Sequence, residues 1–106
     1  MDMQEEWLAG IRLWAAKNGN VREIWLFGSR ANASSTANSD VDLAIYLTPP
    51  TRNTDWAAGN LLAHHSEWKR QLEAIVGRHV SLEAIDPGSK PDEMVRTSGV
   101  LLWARD

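Results

Sequence analysis

Apolar residues recur with a helical period in two segments of the chain. In residues 3–17 these apolar residues lie on one stripe of a predicted helix. The helix is predicted to end at Asn18-Gly19-Asn20, residues that tolerate a left-handed backbone conformation. A longer helix is predicted over residues 54–76, with Gly77 as its C-cap. The stripe residues are Trp7, Leu8, Ile11, Trp14 and Ala15 in the first helix and Ala58, Leu61, Leu62, His65, Trp68, Leu72, Ile75 and Val76 in the second.

Alternation between apolar and other residues predicts four strands, over residues 21–27, 41–47, 79–85 and 100–103, and a short helix is predicted over residues 91–97. The order is α-β-β-α-β-α-β, without repeats or a linker, which favours one sheet with helices on one face. The second strand is the clearest: Val41, Leu43, Ile45 and Leu47 alternate with Asp40, Asp42, Ala44 and Tyr46.

The composition is that of one globular domain spanning residues 1–106, with 43% apolar and 24% charged residues. A net charge of −3 and the lack of a long basic run give no reason to expect direct nucleic-acid binding. The chain has no cysteine, no signal peptide and no apolar run of about 18 residues, so we expect a cytoplasmic protein without a membrane segment. The six tryptophans are interpreted mainly as core residues, with a partner-binding surface as the alternative for some.

The first candidate site residues follow the first strand, at Gly28-Ser29-Arg30. Glycine lets the backbone approach a ligand closely, and free N–H groups together with a serine hydroxyl are donors for phosphate oxygens. Taken alone, a Gly-Ser pair after a strand is more often only a turn.

The second candidate feature is the pair Asp40 and Asp42, two residues apart at the start of the clearest strand. Such residues point to the same face with β-carbons roughly 6–7 Å apart, where two carboxylates repel unless a cation lies between them. Mg²⁺ prefers such oxygen ligands; the alternative is a solvated strand face with two harmless aspartates. Because the two strands meet at the turn, phosphate donors and metal ligands are expected at one edge of the sheet.

Together, Gly28-Ser29-Arg30-Ala31 and Ser39-Asp40-Val41-Asp42-Leu43 resemble the signature of the DNA polymerase β-like nucleotidyltransferase superfamily. The chain most resembles its minimal members, the MNT antitoxins that are paired with HEPN toxins. The similarity extends to the final segment, residues 97–103. It implies an α/β (α+β) nucleotidyltransferase fold, with a small mixed sheet and helices packed on one face.

The resemblance also implies a reaction: transfer of a nucleoside monophosphate from ATP or another NTP to a hydroxyl group, by implication a tyrosine on a cognate HEPN toxin. Gly28 and Ser29, with Arg30 and Ser39, would bind the nucleotide. Asp40 and Asp42 would bind two Mg²⁺ ions. Arg30 has two possible roles, neutralising the triphosphate or anchoring the turn.

A third carboxylate is expected on the next strand, where family members commonly have Val-Asp-Leu and this chain has Ser81 in the place of the aspartate. Glu83, two residues on and on the same strand face, is predicted to be the third metal ligand and the base for the acceptor hydroxyl, with Asp86 as the fallback. If neither carboxylate reaches the metal, we expect nucleotide binding with slow turnover.

Two other functions stay open at this stage. One is an antitoxin that neutralises its partner by occlusion with little or no catalysis, and the other is a stand-alone transferase acting on a small molecule such as an aminoglycoside. Enzymes of the latter kind usually carry an extra helical domain for the acceptor, and 106 residues leave no room for one, which favours the two partner-directed functions.

Overall fold

A four-stranded sheet organises the chain in the computed structural model, which describes residues 3–32, 35, 39–47 and 56–105, without the side chains of residues 56–63. All seven predicted elements are present, although residues 54 and 55 of the predicted long helix lie outside the described residues. The elements are α1 (Glu5–Lys17), β1 (Val21–Phe27), β2 (Val41–Leu47), α2 (Trp56–Val76), β3 (Val80–Ala84), α3 (Lys90–Ser98) and β4 (Val100–Ala104).

The sheet is mixed, with the strand order β3-β2-β1-β4. β1 is antiparallel to both of its neighbours, whereas β2 and β3 are parallel. Parallel neighbours need a crossover that returns the chain to the same end of the sheet, and α2 provides it. The C-terminal end of β1 and the N-terminal ends of β2 and β3 therefore lie at one end of the sheet.

One face of the sheet carries the main core, covered by α1 and α2. Val41, Leu43 and Ile45 of β2 are fully buried here, as the alternation in the sequence predicts. Each fully buried side chain of this kind stabilises the fold by roughly 1.5–3 kcal/mol. The other buried members of this core are Ile11, Ala15, Val21, Ile24, Leu26, Leu47, Trp68, Leu72, Val76, Val80, Leu82 and Leu102. None of the helices in the described part of the chain combines the length and the apolarity needed to span a bilayer.

The third helix does not join the other two, so the expectation that the helices share one face holds for α1 and α2 but not for α3. Val95 of α3 packs with Ala44, Tyr46 and Ile85 in a second, smaller core on the opposite face. The physical reason lies in β2, whose even-numbered positions beyond Asp42 are largely apolar and therefore need a cover of their own. The described tryptophan side chains contribute to one of these two cores, which supports their interpretation as core residues.

Polar contacts fix α3 on this second face. The hydroxyl group of Tyr46, a residue only 2% exposed, donates a hydrogen bond to Oδ1 of Asp92, and Arg96 Nε donates to the same oxygen at 2.8 Å. The guanidinium group of Arg96 lies 4.8 Å from the centre of the Tyr46 ring. The hydrogen bond from Tyr46 is the main cause that holds the pKa of Asp92 below its usual value of 3.8.

Tyr46→Phe tests this attachment. Because the folded pKa of Asp92 is depressed, its contribution to stability is present above pH 3.8 and is lost as the pH falls through the folded pKa. The variant removes the main cause of that depression, so it should unfold at lower urea concentration near neutral pH, with a smaller deficit at acid pH. Urea denaturation at both pH values, followed by tryptophan fluorescence, measures this. A deficit that does not change with pH would contradict the pairing.

Candidate functional site

The turn after β1 and the start of β2 are in direct contact. The antiparallel register pairs Phe27 with Asp42, so Gly28 comes to lie beside the Asp42 carboxylate. A β-carbon on Gly28 would collide with Oδ2 of Asp42 and lie 3.2 Å from its Cγ, and the φ angle of Gly28 is +74°. Both the backbone angle and the space therefore require glycine. The two halves of the sequence motif are thus brought together, as predicted.

Residues 29–31 continue this turn toward a buried arginine. The Ala31 N–H donates to the Gly28 carbonyl at 3.1 Å, and Ser29 between them is half-buried. Arg30 is only 6% exposed, and its Nη2 donates to the Ser39 carbonyl oxygen at 2.8 Å.

The guanidinium group of Arg30 links two segments of the chain. Its Nε lies 3.3 Å from the carbonyl oxygens of both Ser39 and Asp40, and its Cζ lies 5.2 Å from the centre of the Trp7 ring. A buried cation needs such polar partners, and here they are the carbonyl groups that immediately precede β2. These contacts match one of the two possible roles of Arg30, anchoring the turn. Its role in neutralising the triphosphate stays a prediction.

Asp40 lies just before β2 with a side chain that is 52% exposed. Its Oδ2 is 3.2 Å from Nδ1 of His79, the residue just before β3. The other ring nitrogen of His79, Nε2, is 3.2 Å from Nζ of Lys69 on α2. The carboxylate of Asp40 therefore contacts the imidazole of His79. In the contacts described here, Arg30 binds the backbone carbonyl oxygen of Asp40 and not its carboxylate.

The carboxylate of Asp42 lies in an environment that opposes its ionisation. Burial is the main cause that raises the pKa of Asp42, and the negative charges of Asp40 and Glu83 raise it further. Arg30 and His79 oppose this effect without cancelling it. The start of β2 thus carries negative charge that the protein itself does not fully compensate, and oxygen donors of this kind suit Mg²⁺.

The parallel register of β2 and β3 locates the candidates for the third carboxylate. Ser81 pairs with Asp42, and Glu83 pairs with Ala44, one step further from Gly28 along the same face. Asp86 follows the opposite end of β3. Among the side chains that the structure describes, no three His, Cys, Asp or Glu residues are grouped closely enough to hold a metal ion. The assignment of Glu83 as a third ligand therefore stays a prediction.

The reasoning from sequence missed His79 and Lys69 as neighbours of the site. In the sequence, His79 is only the first residue of the predicted third strand, and Lys69 lies in the predicted long helix without belonging to its apolar stripe. The signal that was available is the crossover: if β2 and β3 are parallel neighbours, the residues just before each strand, Asp40 and His79, must come together.

Residues 11–106 match the family model described as "Polymerase beta, Nucleotidyltransferase". None of the curated protein sequences matches the chain significantly.

Solved structures with a similar fold include a chain of a toxin–antitoxin crystallised with AMP-PNP, with 23% identity and a TM-score of 0.65 over 97% of this chain and 76% of that one. Another belongs to a tri-AMPylated Shewanella oneidensis HEPN toxin in complex with an MNT antitoxin, with 22% identity and a TM-score of 0.63 over 97% of this chain and 74% of that one. At these identities the likeness shows a shared fold.

The matched region contains the Gly28 turn and the whole sheet that surrounds it. Since the family model covers most of the chain, this protein belongs to the polymerase β nucleotidyltransferase family.

Proposed function

We propose that this protein transfers a nucleoside monophosphate from an Mg²⁺-bound NTP, such as ATP, to a hydroxyl group on a HEPN-type toxin and thereby acts as its antitoxin. The observation that carries the proposal is the contact of Gly28 with the Asp42 carboxylate, at the end of the sheet where Asp40 also lies. This arrangement puts a close-approach backbone turn beside carboxylates whose charge the protein only partly compensates, as a metal-bound triphosphate requires. The similar complex that contains a tri-AMPylated HEPN toxin supports the choice of acceptor.

Asp40 and Asp42 are the residues that would hold Mg²⁺, with two ions expected from the family resemblance. Mg²⁺ is usually held by one or two protein carboxylates, with its other positions taken by water and substrate phosphates, so these two residues fit without a third side chain. When bound, the metal neutralises phosphate charge and polarises the phosphoryl group. The raised pKa of Asp42 supports this assignment: burial, followed by the charges of Asp40 and Glu83, disfavours the ionised carboxylate, and a bound cation would favour it.

The other residues bind and orient the reactants. The Gly28-Ser29 turn donates to the β- and γ-phosphates, and Arg30 holds the segment of Ser39 and Asp40 against that turn. In the transfer itself, the acceptor oxygen bonds to the α-phosphorus while the bond to the pyrophosphate leaving group breaks. Glu83 takes the proton of the acceptor hydroxyl.

One observation favours a second candidate function. Ser81, which is in register with Asp42, has a hydroxyl group that is a poor base, and Glu83 lies one pair further along the strand. A site with this composition binds nucleotide better than it turns it over. Neutralisation of the toxin by occlusion, with slow transfer, is therefore the alternative.

If a gene beside this one encodes an all-helical protein of the HEPN type, that protein is the acceptor with which the transfer reaction is tested. The pair is incubated with α-labelled or γ-labelled ATP and Mg²⁺. We expect the α-label to appear on the partner and the γ-label to leave as pyrophosphate, with transfer lost in Asp42→Ala and slowed in Glu83→Gln. A tight complex without transfer, unaffected by Asp42→Ala, would support occlusion instead. Label on an aminoglycoside added to the mixture would point to a small-molecule transferase.

Asp42→Asn should separate binding from stability. The contribution of a carboxyl group with a raised folded pKa to stability is fully present below its unfolded pKa and is lost as the pH rises through the folded pKa. At neutral pH in EDTA, the variant should therefore have a higher free energy of unfolding than the wild type. Its affinity for Mg²⁺-ATP should fall by more than about tenfold. Loss of an outer-shell partner already weakens metal binding about tenfold, and we expect a direct ligand to matter more.

Urea denaturation and calorimetric titration measure the two effects of Asp42→Asn. Glu93→Gln, which removes an exposed carboxylate on α3, is the control and should leave nucleotide affinity unchanged. An Asp42→Asn protein that binds Mg²⁺-ATP as tightly as the wild type would exclude Asp42 as a metal ligand.

Gly28→Ala tests the contact between the turn and Asp42. Gly77 is a matched control because its φ angle is also positive, at +66°, yet a β-carbon there would meet nothing within 4 Å. Both substitutions to alanine should lower the free energy of unfolding by about 1–2 kcal/mol through backbone strain. Only Gly28→Ala displaces the Asp42 carboxylate, so only this variant should lose Mg²⁺-ATP binding in a calorimetric titration. Equal binding by the two variants would mean that the contact is not needed.

A further inference from the structure

Three side chains from separate elements form a row that ends at the candidate metal ligand Asp40. Lys69 lies on α2, His79 lies just before β3, and Asp40 lies just before β2. The Nζ of Lys69 is 3.2 Å from Nε2 of His79, and Nδ1 of His79 is 3.2 Å from Oδ2 of Asp40. None of these contacts is between residues adjacent in the sequence, so the crossover through α2 creates the row.

The chemistry of the row fixes the proton on the imidazole ring. The ammonium group of a lysine can only donate hydrogen bonds, so Nε2 of His79 must accept from Lys69. The neutral ring then carries its proton on Nδ1, which faces the Asp40 carboxylate and donates to it.

The lysine is itself held in place by the start of β3. Oε2 of Glu73, one turn further along α2, lies 3.4 Å from Nζ of Lys69. The same oxygen accepts a hydrogen bond from the Val80 N–H at 3.0 Å, so Glu73 ties the lysine to the strand that follows His79. The imidazole is therefore set between a fixed cation and a carboxylate.

Asp40 needs such a partner because nothing else described around it restrains its carboxylate group. Its side chain is half exposed and precedes the strand, and Arg30 binds its backbone carbonyl oxygen and not its side chain. Asp42 differs, since its carboxylate packs against Gly28. A neutral N–H donor orients a carboxylate and leaves its charge available, whereas a lysine in direct contact would compete with a metal cation.

We propose that His79, with its tautomer set by Lys69, is a positioning residue that holds Oδ2 of Asp40 and leaves the other oxygen for the Mg²⁺ of the bound nucleotide. This inference rests on the proposed function in its last step, since it assigns Asp40 to the metal. The hydrogen-bonded row itself does not depend on that assignment. The two parts can therefore be tested separately.

The tautomer is tested first, in the metal-free protein and without nucleotide. Nitrogen-15 NMR of the histidine rings at about pH 8, above the usual imidazole range, distinguishes a protonated Nδ1 from a protonated Nε2. We expect the His79 ring to be protonated on Nδ1 in the wild type and to become a mixture of tautomers in Lys69→Met. A wild-type ring protonated mainly on Nε2 would overturn the inference while leaving the proposed function untouched.

The role toward the metal is tested by titrating Mg²⁺ into the full chain with a fluorescent ATP analogue at fixed concentration. His79→Leu removes the donor and should weaken the apparent Mg²⁺ affinity about 10- to 100-fold, the range typical of outer-shell partners. His79→Asn keeps an amide N–H near the position of Nδ1 and should recover most of that affinity. Circular dichroism establishes that both variants are folded.

The outcomes separate the two proposals. If His79→Leu and His79→Asn lose affinity equally, or if neither loses any, His79 does not position Asp40, and the proposed function stands as long as Asp42→Asn weakens binding as predicted. If the wild type itself does not bind the Mg²⁺–nucleotide, the proposed function fails, and with it the assignment of His79 to a metal site, even where the NMR result confirms the tautomer.

Discussion

The register between β1 and β2 is the constraint on which the site depends. Because the strands are antiparallel and Phe27 pairs with Asp42, the residue after β1 must lie beside the first carboxylate within β2. Only a residue without a β-carbon fits there, and its φ angle of +74° turns the chain away at once. A slip of one residue would turn Asp42 into the core and bring an apolar residue to the turn. The buried positions on the other face of β2 hold this register in place.

The same end of the sheet concentrates negative charge that the fold only partly offsets. Burial and the neighbouring Asp40 and Glu83 all disfavour ionised Asp42. Arg30, whose charge opposes the rise in the pKa of Asp42, is directed at backbone carbonyl groups and holds the segment before β2. Such an arrangement lowers the stability of the protein at neutral pH, as is common at binding sites, and it is consistent with the cation site that we propose.

The two faces of the sheet differ in what covers them. One is buried under α1 and α2 and carries the larger of the two cores. On the other, α3 covers the part of β2 around Tyr46, and the start of the strand carries Asp42. The Tyr46–Asp92 contact therefore fixes α3 on the same face of β2 as Asp42 without using a site residue. The packing contact at Tyr46 and the candidate site at Asp42 therefore lie on the same face, at different positions along β2.

The sequence by itself determined the elements, the buried faces of β2 and β3, and the meeting of Gly28 with Asp42, because period and alternation are local and adjacent strands usually pair. Only the tertiary structure decided the position of α3, the carbonyl partners of Arg30, and the row from Lys69 through His79 to Asp40. These depend on strand order and on the crossover through α2, which bring together residues that are far apart in the chain and carry no shared pattern.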